Sequence, residues 1–166
     1  MSWTPDQLLK HPQRNSLLGL KTAVAAPAKA AAPSDEIRFV AWITPMGKPR
    51  MTQRDRWKNR PVVLRYHEFC DRLREAAPAS LRKTSIYAID IRAFIPMPQS
   101  WSAKKKAQHN GCMCAAKPDW DNIGKAVCDA MLKEDSIIAD GRCRKYWCNL
   151  GDQCLDIRVR VRKKRF

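Results

Sequence analysis

The chain has 166 residues, and its 32 lysines and arginines outnumber its 16 aspartates and glutamates to give a formal net charge of +16. Such a charge favours a polyanionic partner, which could be nucleic acid, an anionic membrane or an acidic protein. No apolar run approaches the roughly 18 residues of a transmembrane helix, and the first residues lack the pattern of a signal peptide. We therefore expect a cytoplasmic protein, not bound to a membrane, whose main partner is nucleic acid.

Residues 1–36 differ in composition from the rest of the chain. The stretch from Thr22 to Ser34 is rich in alanine and proline and buries little, which is typical of a linker. We predict an N-terminal arm and linker over residues 1–36, whose partner the sequence does not specify. A folded domain with a basic C-terminal tail is expected over residues 37–166.

Apolar periodicity predicts the elements of this domain in chain order. Alternating or β-branched runs predict strands, and apolar residues three to four apart predict helices. The predicted strands cover residues 37–43, 84–96, 136–139 and 155–161, and the predicted helices cover residues 64–77, 100–107 and 122–133. This order is typical of an α/β or α+β fold, a single domain in which two main helices pack on a mixed β-sheet.

The last predicted strand shows the clearest alternation. Aliphatic residues recur at every second position from Leu155 to Val161 and should face the core. Successive side chains of a strand point to opposite faces of the sheet. The intervening Asp156, Arg158 and Arg160 are therefore expected on the outward face.

The seven cysteines lie at positions 70, 112, 114, 128, 143, 148 and 154. An odd count without an export signal argues against a disulfide framework. Cys112 and Cys114, with Cys143 and Cys148 further on, match the usual spacing of a structural zinc site poorly. Free thiols are the favoured interpretation, and a zinc-containing basic adaptor is an alternative.

The acidic residues that suggest chemistry surround the predicted helix at residues 122–133. Asp119 and Asp121 are two residues apart in a segment kept extended by Pro118, so both carboxylates can face one point. Asp121 is well placed as the N-cap of the helix, and Lys125 follows one turn later. Asp135 comes after the helix and can approach the pair only if the chain folds back.

Three converging carboxylates are the donor set that Mg²⁺ prefers, and Mn²⁺ could substitute for it. Lys125 could then stabilise charge that develops on a phosphate. The alternative is structural, with Asp121 as a helix cap and Lys125 in a surface pair with Asp129. Two features favour the metal site: this is the one acid cluster in a basic chain, and Trp120, between the acids, could stack on a base.

The run KPDWDNIGKAVCDAMLKED, residues 117–135, resembles the RusA family of Holliday junction resolvases, which are common in phages and prophages. The loop from Gly47 to Asp55 also resembles phage members of that family. The resemblance covers about residues 37–162. Two departures are Trp120, where the family usually has an aliphatic residue, and the extension at residues 1–36.

The resemblance implies a RusA-like fold and a divalent-metal nuclease. By position, it implies Asp119, Asp121 and Asp135 as metal ligands and Lys125 as the catalytic lysine. It also implies a Mg²⁺-dependent homodimer that nicks four-way DNA symmetrically, in recombination, repair or phage DNA processing.

Basic residues concentrate in the loop after the first strand and in the predicted helix at residues 100–107. Lysine and arginine bind phosphates and position DNA without reading its sequence. The candidate DNA-binding residues are Lys48, Arg50, Arg54, Arg56, Lys58, Arg60, Lys104, Lys105 and Lys106. A non-catalytic basic module that binds branched DNA is the main alternative to the nuclease.

Overall fold

The computed structural model describes residues 35–56 and 60–162. Within them the helices are α1 (Pro61–Ala76), α2 (Ala103–His109) and α3 (Trp120–Met131), and the strands are β1 (Glu36–Ala41), β2 (Ser85–Pro96), β3 (Asp140–Cys148) and β4 (Cys154–Arg162). Short 3-10 turns cover Gln53–Arg56, Ala79–Lys83 and Asp135–Ile137. The predicted arm and linker lie almost wholly outside the described residues and stay a prediction.

The four described strands form one mixed sheet in the order β1-β4-β2-β3. β4 pairs antiparallel with both β1 and β2, whereas β3 runs parallel to β2. A parallel pair needs a crossover connection, and here the crossover carries α2 and α3. The expected mixed sheet with packed helices is confirmed as an α+β fold.

The core lies between one face of the sheet and helices α1 and α3. The amphipathic α3 buries Ile123, Ala126 and Val127 completely. These side chains share one apolar cluster with Leu73 of α1 and Ile157 of β4. Burying a side chain of the size of valine or isoleucine contributes roughly 1.5–3 kcal/mol, so this packing holds α3 in place on the sheet.

Two predictions about the segment around α3 are wrong. The helix begins at Trp120, so Asp119 rather than Asp121 occupies the N-cap position. The short strand expected at residues 136–139 is a 3-10 turn, and the strand begins at Asp140. β3 was missed because its polar, arginine-rich sequence lacks a strand pattern; it is held by its ladder to β2.

Asp156 lies on the outward face of the sheet, as alternation predicts, and yet it is buried. It is only 1% exposed. Its carboxylate accepts two hydrogen bonds from the guanidinium of Arg38, at 2.8 and 2.9 Å. Val40 and Arg92 are its neighbours across the strands, and long side chains on adjacent strands shield a position that alternation assigns to the outward face.

We predict that Arg38→Ala lowers the free energy of unfolding by about 2–3 kcal/mol, because Asp156 would remain buried without its partner. The expected loss is smaller than for a fully buried ion pair, because the Arg38 side chain is 35% exposed. Urea unfolding measures the change. The control is Asp71→Ala, which removes an exposed ion pair with Arg74 and should cost less than about 1 kcal/mol. Equal effects of the two variants would contradict the prediction.

Candidate active site

The amino end of α3 presents two carboxylates and an ammonium group. Asp119 occupies the N-cap position but makes no capping hydrogen bond with its side chain, and Asp121 lies in the first turn. Both are exposed, as is Lys125 one turn further along. No hydrogen bond or ion pair of the described residues engages these three side chains, so they are available to a ligand.

The loop that leads into α3 is tied to the sheet by Lys145. This β3 side chain donates hydrogen bonds to the carbonyl oxygens of Ala116 and Pro118, at 2.5 and 2.8 Å. The backbone is also joined to β3, since the amide of Cys114 donates to the carbonyl of Lys145. The position of Asp119, which follows this loop directly, is therefore set from the sheet.

The basic loop after β1 packs against the same end of α3. The amide of Lys48 donates to the carbonyl oxygen of Asn122 at 3.3 Å. A Cβ atom at Gly47 would lie 3.1 Å from the Cβ of Asn122 and 3.4 Å from that of Pro118. Such a close approach favours glycine at this point of the loop, since a side chain would force Asn122 to shift.

Lys48 is engaged within the chain. Its ammonium lies 2.6 Å from the Asp129 carboxylate, which also accepts a long hydrogen bond from the Tyr66 hydroxyl, at 3.5 Å. Burial, together with nearby Cys70 and Asp129, raises the pKa of Tyr66 well above its usual range. A neutral phenol and a paired ammonium thus hold Asp129 in place, and Lys48 joins the basic loop to α3.

Asp135 does not lie beside Asp119 and Asp121. It begins the 3-10 turn beyond the carboxyl end of α3, and a helix of 12 residues separates its ends by about 18 Å. No group of three histidine, cysteine or acidic side chains within the described residues could hold a metal ion. The chain does not fold back along α3, because it must enter β3 at the end where parallel β2 also begins.

The other predicted DNA-binding residues divide into three groups: those bound within the chain, those exposed, and those whose side chains are not described. Arg60 is used locally, because it pairs with Asp55 and donates to the carbonyl of Arg50; this pairing holds the pKa of Asp55 well below its usual range. Lys106 donates to the carbonyl of Gln99. The exposed side chains are Arg50, Lys104 and Lys105, whereas the side chains of Arg54, Arg56 and Lys58 lie outside the described part.

The exposed and the more buried tryptophans differ in whether their rings can contact a ligand. Trp120 is 60% exposed beside the two carboxylates, a position from which it can reach a base. Trp101 packs against Trp147 with ring centroids 5.1 Å apart, and Lys105 lies over its ring at 4.1 Å. Sequence alone does not separate these roles, because all three residues are aromatic and near basic residues.

The cysteines are free thiols. Burial raises the pKa of Cys128 and Cys143 to about 11, and that of Cys148 and Cys154 to about 12. Among the residues that the structure describes, no three histidine, cysteine or acidic side chains are grouped so as to hold a metal ion, so the structure adds no support to the zinc alternative.

A comparison with protein-family models matches residues 43–162 to the family described as endodeoxyribonuclease RusA. The match covers well over half of the chain and includes both carboxylates, Lys125 and the basic loop. The chain belongs to the RusA family. Membership of this family implies a nuclease, and the family's activity is that of a Holliday junction resolvase on branched DNA. No curated protein matches the chain, and no described helix is long and apolar enough to cross a membrane.

We predict that Lys145→Met lowers the single-turnover cleavage rate about tenfold, since small displacements of reacting groups are costly, while the affinity for a four-way junction stays unchanged. The matched control is Lys133→Met, which alters an exposed lysine after α3 and should leave both quantities unchanged. Equal losses of binding and cleavage would assign Lys145 to DNA contact rather than to positioning.

Proposed function

We propose that this protein is a Mg²⁺-dependent, structure-selective endonuclease that resolves Holliday junctions by paired symmetric nicks. The observation that carries the proposal is the pair of exposed, unpartnered carboxylates at the amino end of α3 in a RusA-family chain. Asp55, Asp129 and Asp156, by contrast, are each bound to an arginine or lysine.

The donor set fits a magnesium ion. Proteins commonly hold Mg²⁺ through one or two carboxylates, and water and substrate phosphate complete its coordination. Asp119 and Asp121 would be those ligands, and Mn²⁺ prefers the same oxygen donors. When bound, such an ion activates water and stabilises the leaving oxygen. Asp135 is not included in this proposal, because the described fold separates it from the pair.

Lys125 and Trp120 would act on the substrate rather than on the metal. Lys125 lies one turn above Asp121 on the same side of α3, and its ammonium is exposed. From there it can stabilise the charge that develops on a reacting phosphate. Trp120 would stack on an unpaired base near the branch point.

Paired nicks suggest a homodimer. A four-way junction has approximate two-fold symmetry, and two equivalent cuts need two sites related by a two-fold axis. We propose that the protein works as such a dimer in recombination, repair or phage DNA processing. Its DNA substrate is consistent with the predicted cytoplasmic location.

The main alternative is a basic module that binds branched DNA without cutting it. In that case Asp119 and Asp121 would only stabilise the positive end of the α3 dipole. The absence of a capping bond from Asp119 removes the strongest structural role that this residue could have. The geometry therefore favours the enzyme.

We predict that Asp121→Asn lowers cleavage of a synthetic four-way junction about 10²–10³-fold by removing a metal ligand, with junction binding retained. The assay compares the junction with a linear duplex of the same sequence, in Mg²⁺ and in EDTA. Asp71→Asn alters an exposed acid on α1 and serves as control. Tight binding without cleavage by the unmodified protein, in Mg²⁺ and Mn²⁺, would support the binding module instead.

We predict that Asp135→Asn retains cleavage within about threefold, because α3, a helix of 12 residues and about 18 Å in length, lies between this residue and Asp119. The measurement is the same junction assay, with Asp121→Asn run beside it. Equal losses in the two variants would restore Asp135 as a ligand. The ends of α3 would then have to meet through a second copy of the chain.

A further inference from the structure

The face of the sheet opposite α1 and α3 is lined by charged side chains. Residues paired across adjacent strands share one side of a sheet, so the register assigns all of them to the same face. On it lie six arginines and four acids: Arg38, Arg92, Arg142, Arg144, Arg158, Arg160, Glu36, Asp90, Asp140 and Asp156. Positive charge is in excess by two.

Three of the four acids are used by close ion pairs. Arg38 binds Asp156, and two further arginines bind their acids at 2.5 Å: Arg144 with Asp90 and Arg160 with Asp140. These pairs leave Arg92 of β2 and Arg158 of β4, on the two central strands, without an ion pair among the described residues.

Arg92 and Arg158 are half-buried, and the Nε atom of each is buried without a hydrogen-bond partner. The Nε of Arg144 is in the same state. An unsatisfied buried donor is destabilising, and native structures rarely leave several together. Arg92 and Arg158 are partly exposed and neither is neutralised by an acid among the described residues, so their charge is available to an anion at this face.

The face has the shape and the charge to take a phosphate backbone. A pocket of about 260 Å³ on this face is lined by Arg142, Arg158 and Arg160 and also by Glu36, Asp90 and Asp140. The planar guanidinium matches phosphate oxygens geometrically. Four strands span about 14 Å from first to last, comparable with the major groove of B-DNA at about 12 Å, so both flanking backbones are within reach.

A second copy of the chain is a poorer fit to the same face. Two such faces would bring equal excesses of positive charge together in a protein whose net charge is already +16. Like-charge juxtaposition opposes association, whereas a polyanion releases counterions when it binds. Charge complementarity therefore selects nucleic acid.

We propose that the outer sheet face, centred on Arg92 and Arg158, binds the phosphate backbone of a second DNA arm of the branched substrate. The inference rests on the proposed function, because it assigns the arm being cut to the amino end of α3 on the other side of the sheet. When one arm is bound, the effective concentration of the second arm at its own binding face rises. This face would thus favour branched over linear DNA.

The test uses the double variant Arg92→Gln/Arg158→Gln in the full-length chain. Dissociation constants for a four-way junction and a linear duplex are measured against KCl concentration, with EDTA present to prevent cleavage. We expect junction affinity to fall about 10–100-fold and the slope of log K against log salt to fall by about two. Duplex affinity should fall less.

Two further variants keep the test decisive. Arg142→Gln removes an exposed arginine of the same face whose nearest acid is 3.9 Å away; it should fold normally and lower the salt slope by about one. Arg72→Gln alters an arginine of α1, on the other side of the sheet, and should change neither quantity.

Unchanged junction affinity and salt slope in the double variant and in Arg142→Gln would overturn the proposal. A change of oligomeric state in sedimentation velocity, with an unchanged slope of log K against log salt per protomer, would also overturn the proposal. It would assign the face to a contact between copies of the chain. Failure of the proposed function gives a different result. The unmodified protein would then not cleave, while its binding of branched DNA would still depend on Arg92 and Arg158.

Discussion

The parallel pairing of β2 with β3 is the constraint on which the rest of the structure depends. Parallel neighbours begin at the same end of a sheet, so the chain that leaves the far end of β2 must return to the near end before β3 begins. Helix α3 makes most of that return. Its buried stripe, centred on Ile123 and Val127, locks the helix in place. Asp119 and Asp121 are thereby fixed at one end of the crossing, and Asp135 at the other.

Lysines of this basic chain, among them Lys48, which the sequence assigns to DNA, also build the site. Lys145 holds the loop before α3 through two carbonyl oxygens, and Lys48 joins the basic loop to Asp129. Each bond fixes a segment that has little apolar surface of its own. The carboxylates of Asp119 and Asp121 stay free because the surrounding structure is held by other residues. A basic chain can in this way present an acidic centre without neutralising it.

In the proposed function, the two faces of the sheet have different roles. One face carries the apolar core with α1 and α3, and through α3 it positions the proposed metal ligands. The other face carries more arginines than acids, and two of these arginines, on the central strands, have no ion pair among the described residues. A nuclease that acts on a branch point must hold more than the strand that it cuts. Separate faces for holding and cutting provide that without competition for the same residues.

The sequence by itself determined the fold class, the existence of helix α3, the strand at residues 155–161 and the family resemblance, because these depend on local periodicity and motif spacing. It did not determine that Asp156 is buried, that β3 exists, or that Asp135 is distant from Asp119. Burial of Asp156 depends on Arg38, 118 residues away, and β3 depends on its ladder to β2. The separation of the acids depends on the direction in which α3 crosses the sheet. These are properties of pairing between distant segments, which only the tertiary structure decides.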